Sequence, residues 1–261
     1  MSFKNSFDRL FINTSFFISL ITLSVYSQAQ ELSVFRSVHT RVGINTLGSS
    51  PDNNLSPKQN ILKGNYGAST GFVFESGKIF YFQESYRGTE MNYGLDWTFV
   101  SLNYNEMNQW NKYGKLAVSQ DYAIRGSRIT AAISSKVGPV ISFNPIEKVV
   151  VDVRAQLAPT FRLFDFSYYA NTDTPGSDYF SFKNSKQANN DANPESLKNR
   201  VGFGLQENFG VTIRRNIIGL SLDYITGKVK ANYEARDNNV TTNGKIKIPA
   251  HQLQAKISVF F

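Results

Sequence analysis

Few side chains in this sequence could do chemistry. It has two histidines, His39 and His251, and no cysteine. The histidines sit on separate alternating segments with no second ligand at metal-binding spacing, so a zinc site lacks a ligand set. "VGFGLQENFG" holds Gly202 and Gly204 at a spacing found in nucleotide loops. It lies inside an alternating segment, however, and not between a strand and a helix. "NNDANPE" places Asn189, Asp191, Asn193 and Glu195 at every second position, as calcium loops do, but without the glycine of an EF-hand. A hydrolase would need a nucleophile beside a base or carboxylate. Asp173, Asp178 and Asp191, with Ser177 or Ser181, could be imagined in that role, yet their spacing matches that of solvated loop residues. No catalytic residue, cofactor or metal is expected.

A second group of charges is placed more regularly. Glu75, Asp96, Lys136, Asp152, Arg154, Asp223 and Lys256 each stand on the polar parity of a segment whose other parity is apolar. Buried charges persist when paired and hydrogen-bonded, so this mixture of signs suits a narrow interior in which the charges neutralise one another. Lys136, Asp152, Arg154 and Lys256 are expected to form the lumen network.

Eight segments alternate with period two, the signature of a strand with one apolar face. They cover about 32–47, 67–83, 91–107, 128–143, 149–161, 200–214, 217–234 and the tail "HQLQAKISVFF" from His251. In the tail, Leu253, Ala255, Ile257, Val259 and Phe261 oppose Gln252, Gln254, Lys256 and Ser258, and Phe260 alone breaks the pattern. Parity slips near Gly77 and again before Leu102, where bulges are expected. Glu207 is an unexplained charge on an apolar parity. Pro139 and Pro159 each remove a ladder donor within a strand, which suggests bulges or interfacial positions. Connections at 48–66, 108–127, 165–198 and 235–245 are long and polar, whereas 84–90, 144–148 and 215–216 are short. All long connections therefore fall at one end. An even strand number with short turns at one end and long loops at the other is the pattern of an outer-membrane barrel.

Targeting agrees. Lys4 and Arg9 precede "FFISLITLSVY", and "SQAQ" follows with small residues at Ser27 and Ala29, which reads as a signal peptide over residues 1–29. Residues 30–261 would be the barrel domain. The apolar run is shorter than the roughly 20 residues a spanning helix needs. The formal charge is +8, and removing Lys4, Arg9 and Asp8 with the leader leaves +7. Such an excess favours anionic lipid or polysaccharide, and nucleic acid is excluded after export. A soluble lipocalin-like barrel would show the same period with its apolar face inward. The paired signs of the polar face, the leader and the asymmetric loops favour lipid outside.

At this point the chain resembles the small eight-stranded outer-membrane β-barrel proteins of the Bacteroidetes type. "SQAQ", "KVGPVISFNPIEKVVVDVR" and "AKISVFF" carry the likeness, which spans the mature chain. The resemblance implies an all-β, antiparallel, up-and-down transmembrane barrel in the outer membrane of a Gram-negative bacterium, and it brings no catalytic residue. It further implies that Phe261, with Val259 and Ile257, is read by the barrel assembly machinery. Expected partners are outer-membrane lipid, lipopolysaccharide and a surface protein or glycan. Tyr168, Tyr169, Tyr179, Phe180 and Phe182 of the longest loop are candidates for the last contact, or equally for packing over the barrel mouth. A structural or interactive role is expected. An outer-membrane enzyme on lipid or peptide and a small channel or secretion accessory are the alternatives.

Overall fold

The computed structural model describes residues 34–83, 90–117, 122–170, 179–182, 200–237 and 240–261. The expected leader lies outside these residues, as do Asp173, Ser177, Asp178 and the "NNDANPE" stretch.

The strands are β1 (Val38–Leu47), β2 (Gly71–Tyr81), β3 (Met91–Glu106), β4 (Tyr122–Ile146), β5 (Val149–Ala170), β6 (Tyr179–Ser181), β7 (Val201–Arg215), β8 (Ile218–Asp237), β9 (Val240–Pro249) and β10 (Gln252–Phe260). Helix α1 (Pro57–Lys63) follows β1, and helix α2 (Trp110–Ala117) follows β3. Eight strands, β1, β2, β3, β4, β5, β7, β8 and β10, pair antiparallel with their neighbours in chain order, and β10 closes on β1. The protein is an eight-stranded antiparallel up-and-down β-barrel. Closure leaves no edge in the ring.

The register fixes the shape. From Trp97, directly opposed residues run through Val137, Leu157, Glu207 and Thr226 towards His251, whose carbonyl accepts from the Gly48 amide in continuation of β1. The other way round, Trp97 opposes Lys78, which opposes Val38. The row therefore misses itself by ten residues along β1, from Val38 to Gly48. Such a stagger requires strands inclined by about 35–45° to the axis.

Several sequence expectations change. The described residues of the segment 235–245 are strand: β8 continues to Asp237 and β9 pairs with it in the register that β10 keeps lower down. β9 and β10 are thus one strand broken at Pro249–His251. The 48–66 segment carries α1, capped by Ser56, whose hydroxyl accepts from the Gln59 amide at 3.3 Å while the Gln59 side chain accepts from the Ser56 amide at 3.0 Å. Strand β2 keeps its parity: Ile79 points inward and Lys78 outward, and the bulge lies on β3. There Phe99 and Val100 together face Ser135, whose hydroxyl donates to the Thr98 carbonyl at 3.2 Å. Pro139 and Pro159 form no bulges. Both face outward, and the β4–β5 ladder skips their pairs while keeping one register through Ser134–Thr160, Val137–Leu157 and Val140–Arg154. Both interruptions therefore fall on a single seam.

Candidate functional site

The polar parity points into the barrel, where its charged side chains pair and hydrogen-bond with one another. Glu75 on β2 is the hub. One carboxylate oxygen accepts from Lys136 at 2.5 Å and from the Ser101 hydroxyl at 3.0 Å; the other accepts from Lys256 at 2.6 Å. Lys256 also pairs with Asp223, which pairs with Arg154. Arg154 donates to the Thr212 hydroxyl at 2.6 Å, and a hydroxyl chain runs on through Ser221 to Ser258. Asp96 receives Arg41 at 3.2 Å and His39 at 3.0 Å. Its backbone carbonyl accepts from Gln156 at 3.1 Å. All these charged groups are buried.

The seven charges singled out by parity all face the lumen. Six of them, Glu75, Asp96, Lys136, Arg154, Asp223 and Lys256, belong to one central cluster. Asp152 does not join it. It sits nearer the short-turn end and accepts from Arg214 at 3.1 Å and Ser142 at 2.6 Å. Arg41, His39 and Arg214 complete the network and are absent from the sequence expectation, although each lies on the polar parity of its strand. Arg162, also buried, has no carboxylate partner among the described residues; it donates to Thr130 at 3.4 Å, and the amide oxygen of Gln252, turned towards it, accepts from both of its terminal nitrogens.

Glycines make the reach possible. Arg154 on β5 and Asp223 on β8 are separated by β7, and the residue between them is Gly210. A Cβ there would collide with an Asp223 oxygen and lie 2.6 Å from Arg154 Nε. Gly77 does the same for His39, which crosses it to meet Asp96; a Cβ would come within 2.8 Å of the imidazole.

Both ends of the lumen are closed by apolar groups. At the short-turn end Ile79, Val140 and Phe260 cluster with Tyr81 packed against them. Phe260 breaks the alternation of the tail because it turns inward, lying 5.8 Å from His39 and beneath Arg214, whose guanidinium is 4.3 Å from the ring centre. At the other end a hood rises over the mouth. Trp110 of α2 packs on Phe166, Tyr168 and Tyr113, and its indole donates to the Tyr66 carbonyl at 2.8 Å. Phe164 is stacked between Tyr66 and Phe182. The Tyr66 hydroxyl donates to the Pro249 carbonyl at 2.6 Å, tying the α1 loop to β9. Burial raises the pKa of Tyr66, and it pushes Tyr113 up to about 12 with help from Asp52.

The hood revises the expectation for the loop aromatics. Tyr168, Phe180 and Phe182 are buried in its core and are not displayed. Their rings already pack against one another and against Trp110, Phe164 and Tyr233, so a partner could not also occupy those faces. Tyr169 and Tyr179 stack at 5.4 Å on its flank, with Tyr179 hydrogen-bonded to Glu234. Phe261 is partly exposed at the end of the chain, while Ile257 and Val259 face outward.

No protein-family model matches the chain, and no curated protein does. Among solved structures it is similar to a major outer membrane protein from Thermus thermophilus, with a TM-score of 0.38, 8% identity, and coverage of 86% of this chain and 99% of that one. It is also similar to Neisserial surface protein A, with a TM-score of 0.33, 12% identity, and coverage of 86% and 96%.

The outer wall has two zones. On β8, Leu220, Leu222 and Tyr224 face outward while Ser221 and Asp223 face inward. A few residues further on the assignment reverses: Lys228 and Lys230 face outward, and Val229 and Ala231 are buried. Strand β5 does likewise, with Leu157 and Phe161 outside Arg154 and Arg162, then Phe164 and Phe166 inside. Glu207 gains a context here. It faces outward beside Thr226 in the row that leads to His251, where Thr226 Oγ1 lies 2.9 Å from His251 Nδ1 and the imidazole stacks on Tyr224.

Proposed function

We propose that this chain is an outer-membrane β-barrel of a Gram-negative bacterium, with a filled lumen and a capped surface end, in a structural or surface-interaction role. The reversal of polarity along β5 and β8 carries the reading. Apolar side chains facing outward around a polar, hydrogen-bonded interior are stable where the surroundings are hydrocarbon. The same strands built apolar-in and polar-out above that level are stable in water. One chain crossing from one solvent to the other produces both patterns. Aromatic residues at the two margins, Tyr93, Phe80 and Phe143 near the short turns and Phe72, Tyr104 and Phe161 towards the loops, suit interfacial girdles. Residues 1–29 act as the cleaved leader in this reading, and Ile257, Val259 and Phe261 as the signal for the assembly machinery.

Membrane fractionation with gel mobility before and after boiling tests this, comparing the whole chain with one lacking Phe261. The expected result is an outer-membrane protein with a compact band that shifts on boiling and is depleted by the deletion. A soluble protein indifferent to both treatments would contradict it.

A further inference from the structure

The hairpin of β8 and β9 carries an arrangement that is unfavourable in isolation. Lys230 and Lys247 are directly opposed across the two strands on the outward face. Lys228 lies one outward position below Lys230, and Lys245 one above Lys247, opposite Asn232. Like charges directly opposed on a sheet repel. All four lysines are exposed, and none has a hydrogen-bond or ion-pair partner among the described residues. The quartet begins where the apolar belt of β8 ends, just beyond Tyr224 and Thr226. Beneath it, on the same wall, a groove of about 490 Å³ is lined by Ala155, Phe209, Leu222, Tyr224 and Leu253. Cationic groups clustered over an apolar groove, at the level where hydrocarbon meets water, complement a lipid that has phosphate above and acyl chains below.

We infer that Lys228, Lys230, Lys245 and Lys247 bind the phosphate groups of an acylated, phosphorylated saccharide lipid of the outer leaflet, with one of its chains lying in the groove below. The inference rests on the outer-membrane reading above and goes further by assigning a site and a ligand chemistry. The lipid relieves the repulsion between Lys230 and Lys247, so charge removal has opposite effects in different surroundings. Free phosphate supplies no acyl chain and binds far more weakly.

The test uses the full chain, purified in zwitterionic detergent and reconstituted in phosphatidylcholine nanodiscs, with fluorescent lipid A bearing two phosphates as probe. Wild type is compared with K228Q/K230Q/K245Q/K247Q and with the milder K230Q. The expected result is binding at least about tenfold tighter for wild type than for the fourfold variant, lost with dephosphorylated lipid A and weakened by salt. K230Q should unfold at an equal or higher temperature than wild type in zwitterionic detergent and at a lower one with lipid A present. Equal binding by wild type and the variants, or binding indifferent to the lipid phosphates, would overturn the site while leaving the barrel in its bilayer. Failure of the wild-type chain to enter nanodiscs at all would overturn the membrane reading and this inference together.

Discussion

At the scale of single residues, several ion pairs of the lumen join strands that are not neighbours. Arg154 and Asp223 meet only because Gly210 leaves the strand between them bare. Gly210→Ala should therefore separate the pair and destabilise the barrel by about 3 kcal/mol or more, the scale for breaking a buried pair. Heat unfolding in detergent, followed by gel mobility, would register it as a lower transition. Arg154→Leu should act in the same direction, because it leaves Asp223 with one cation fewer. The double change Arg154→Leu/Asp223→Leu should cost less than the sum of the two single changes, since the pair is coupled and Lys256 keeps Glu75 as a counter-ion. Parity alone reveals which charges face inward, because a strand side chain has only two directions to choose from. It does not reveal who pairs with whom. Asp152 resembles a member of the central cluster by type and parity, but the ten-residue stagger places it low in the barrel, beside Arg214. Glycine at an inward position between a cation and an anion is the available signal for Arg154 and Asp223, and it becomes readable once strand order and register are known.

At the scale of elements, the hood is an apolar core built on a wall of the opposite polarity. Trp110 fixes α2 against Phe166 and Tyr168, so Trp110→Ala should open the hood. Removal of a buried indole costs about 3–5 kcal/mol in a well-packed core. Limited proteolysis should then cut near α1 and α2 while the barrel keeps its compact, heat-shifted band. The hood should also loosen in alkali. Tyr113 donates to the Leu55 carbonyl at 2.7 Å, and its pKa of about 12 lies above the ordinary 10. A raised tyrosine pKa means that the folded state favours the neutral phenol. Its contribution is complete below about pH 10 and fades as pH rises towards 12. Phenolate absorbance under titration, compared between wild type and Tyr113→Phe, should show Tyr113 ionising later in the folded protein than in the unfolded chain; coincident titration would remove that role. The sequence pattern discloses the hood poorly. "SPKQ" is a readable capping box, with Pro57 at the first helical position, yet its short helix is hidden in a polar stretch. "NGKIKIP" alternates lysine with isoleucine as a strand does, but its outward residues are charged, so a search for a lipid-facing apolar parity passes over it. The barrel strands are legible because both faces are constrained at once, by a continuous apolar parity outside and by ion pairing inside.

At the scale of the whole molecule, the barrel is a closed object. Apolar clusters seal both ends, and charged pairs fill the middle. Eight strands enclose a space only just wide enough for side chains. The purified protein in planar bilayers should accordingly show no steady conductance, and discrete open-channel currents would contradict the filled lumen. What remains to act is the outer surface, with its apolar belt, the polar break at Glu207, Thr226 and His251, and the lysines above. The absence of cysteine makes that surface straightforward to map with single introduced labels. The most direct test of the membrane reading places an environment-sensitive fluorophore on cysteine at Leu222, Tyr224 or Lys230 in turn, in liposomes whose lipids carry quenchers at known depths. Strong quenching from the acyl region for Leu222→Cys, a shallower depth for Tyr224→Cys and headgroup or aqueous exposure for Lys230→Cys would place the solvent boundary where the side chains reverse. Three labels reporting the same aqueous surroundings would contradict it, and the belt would then have to be explained without a membrane.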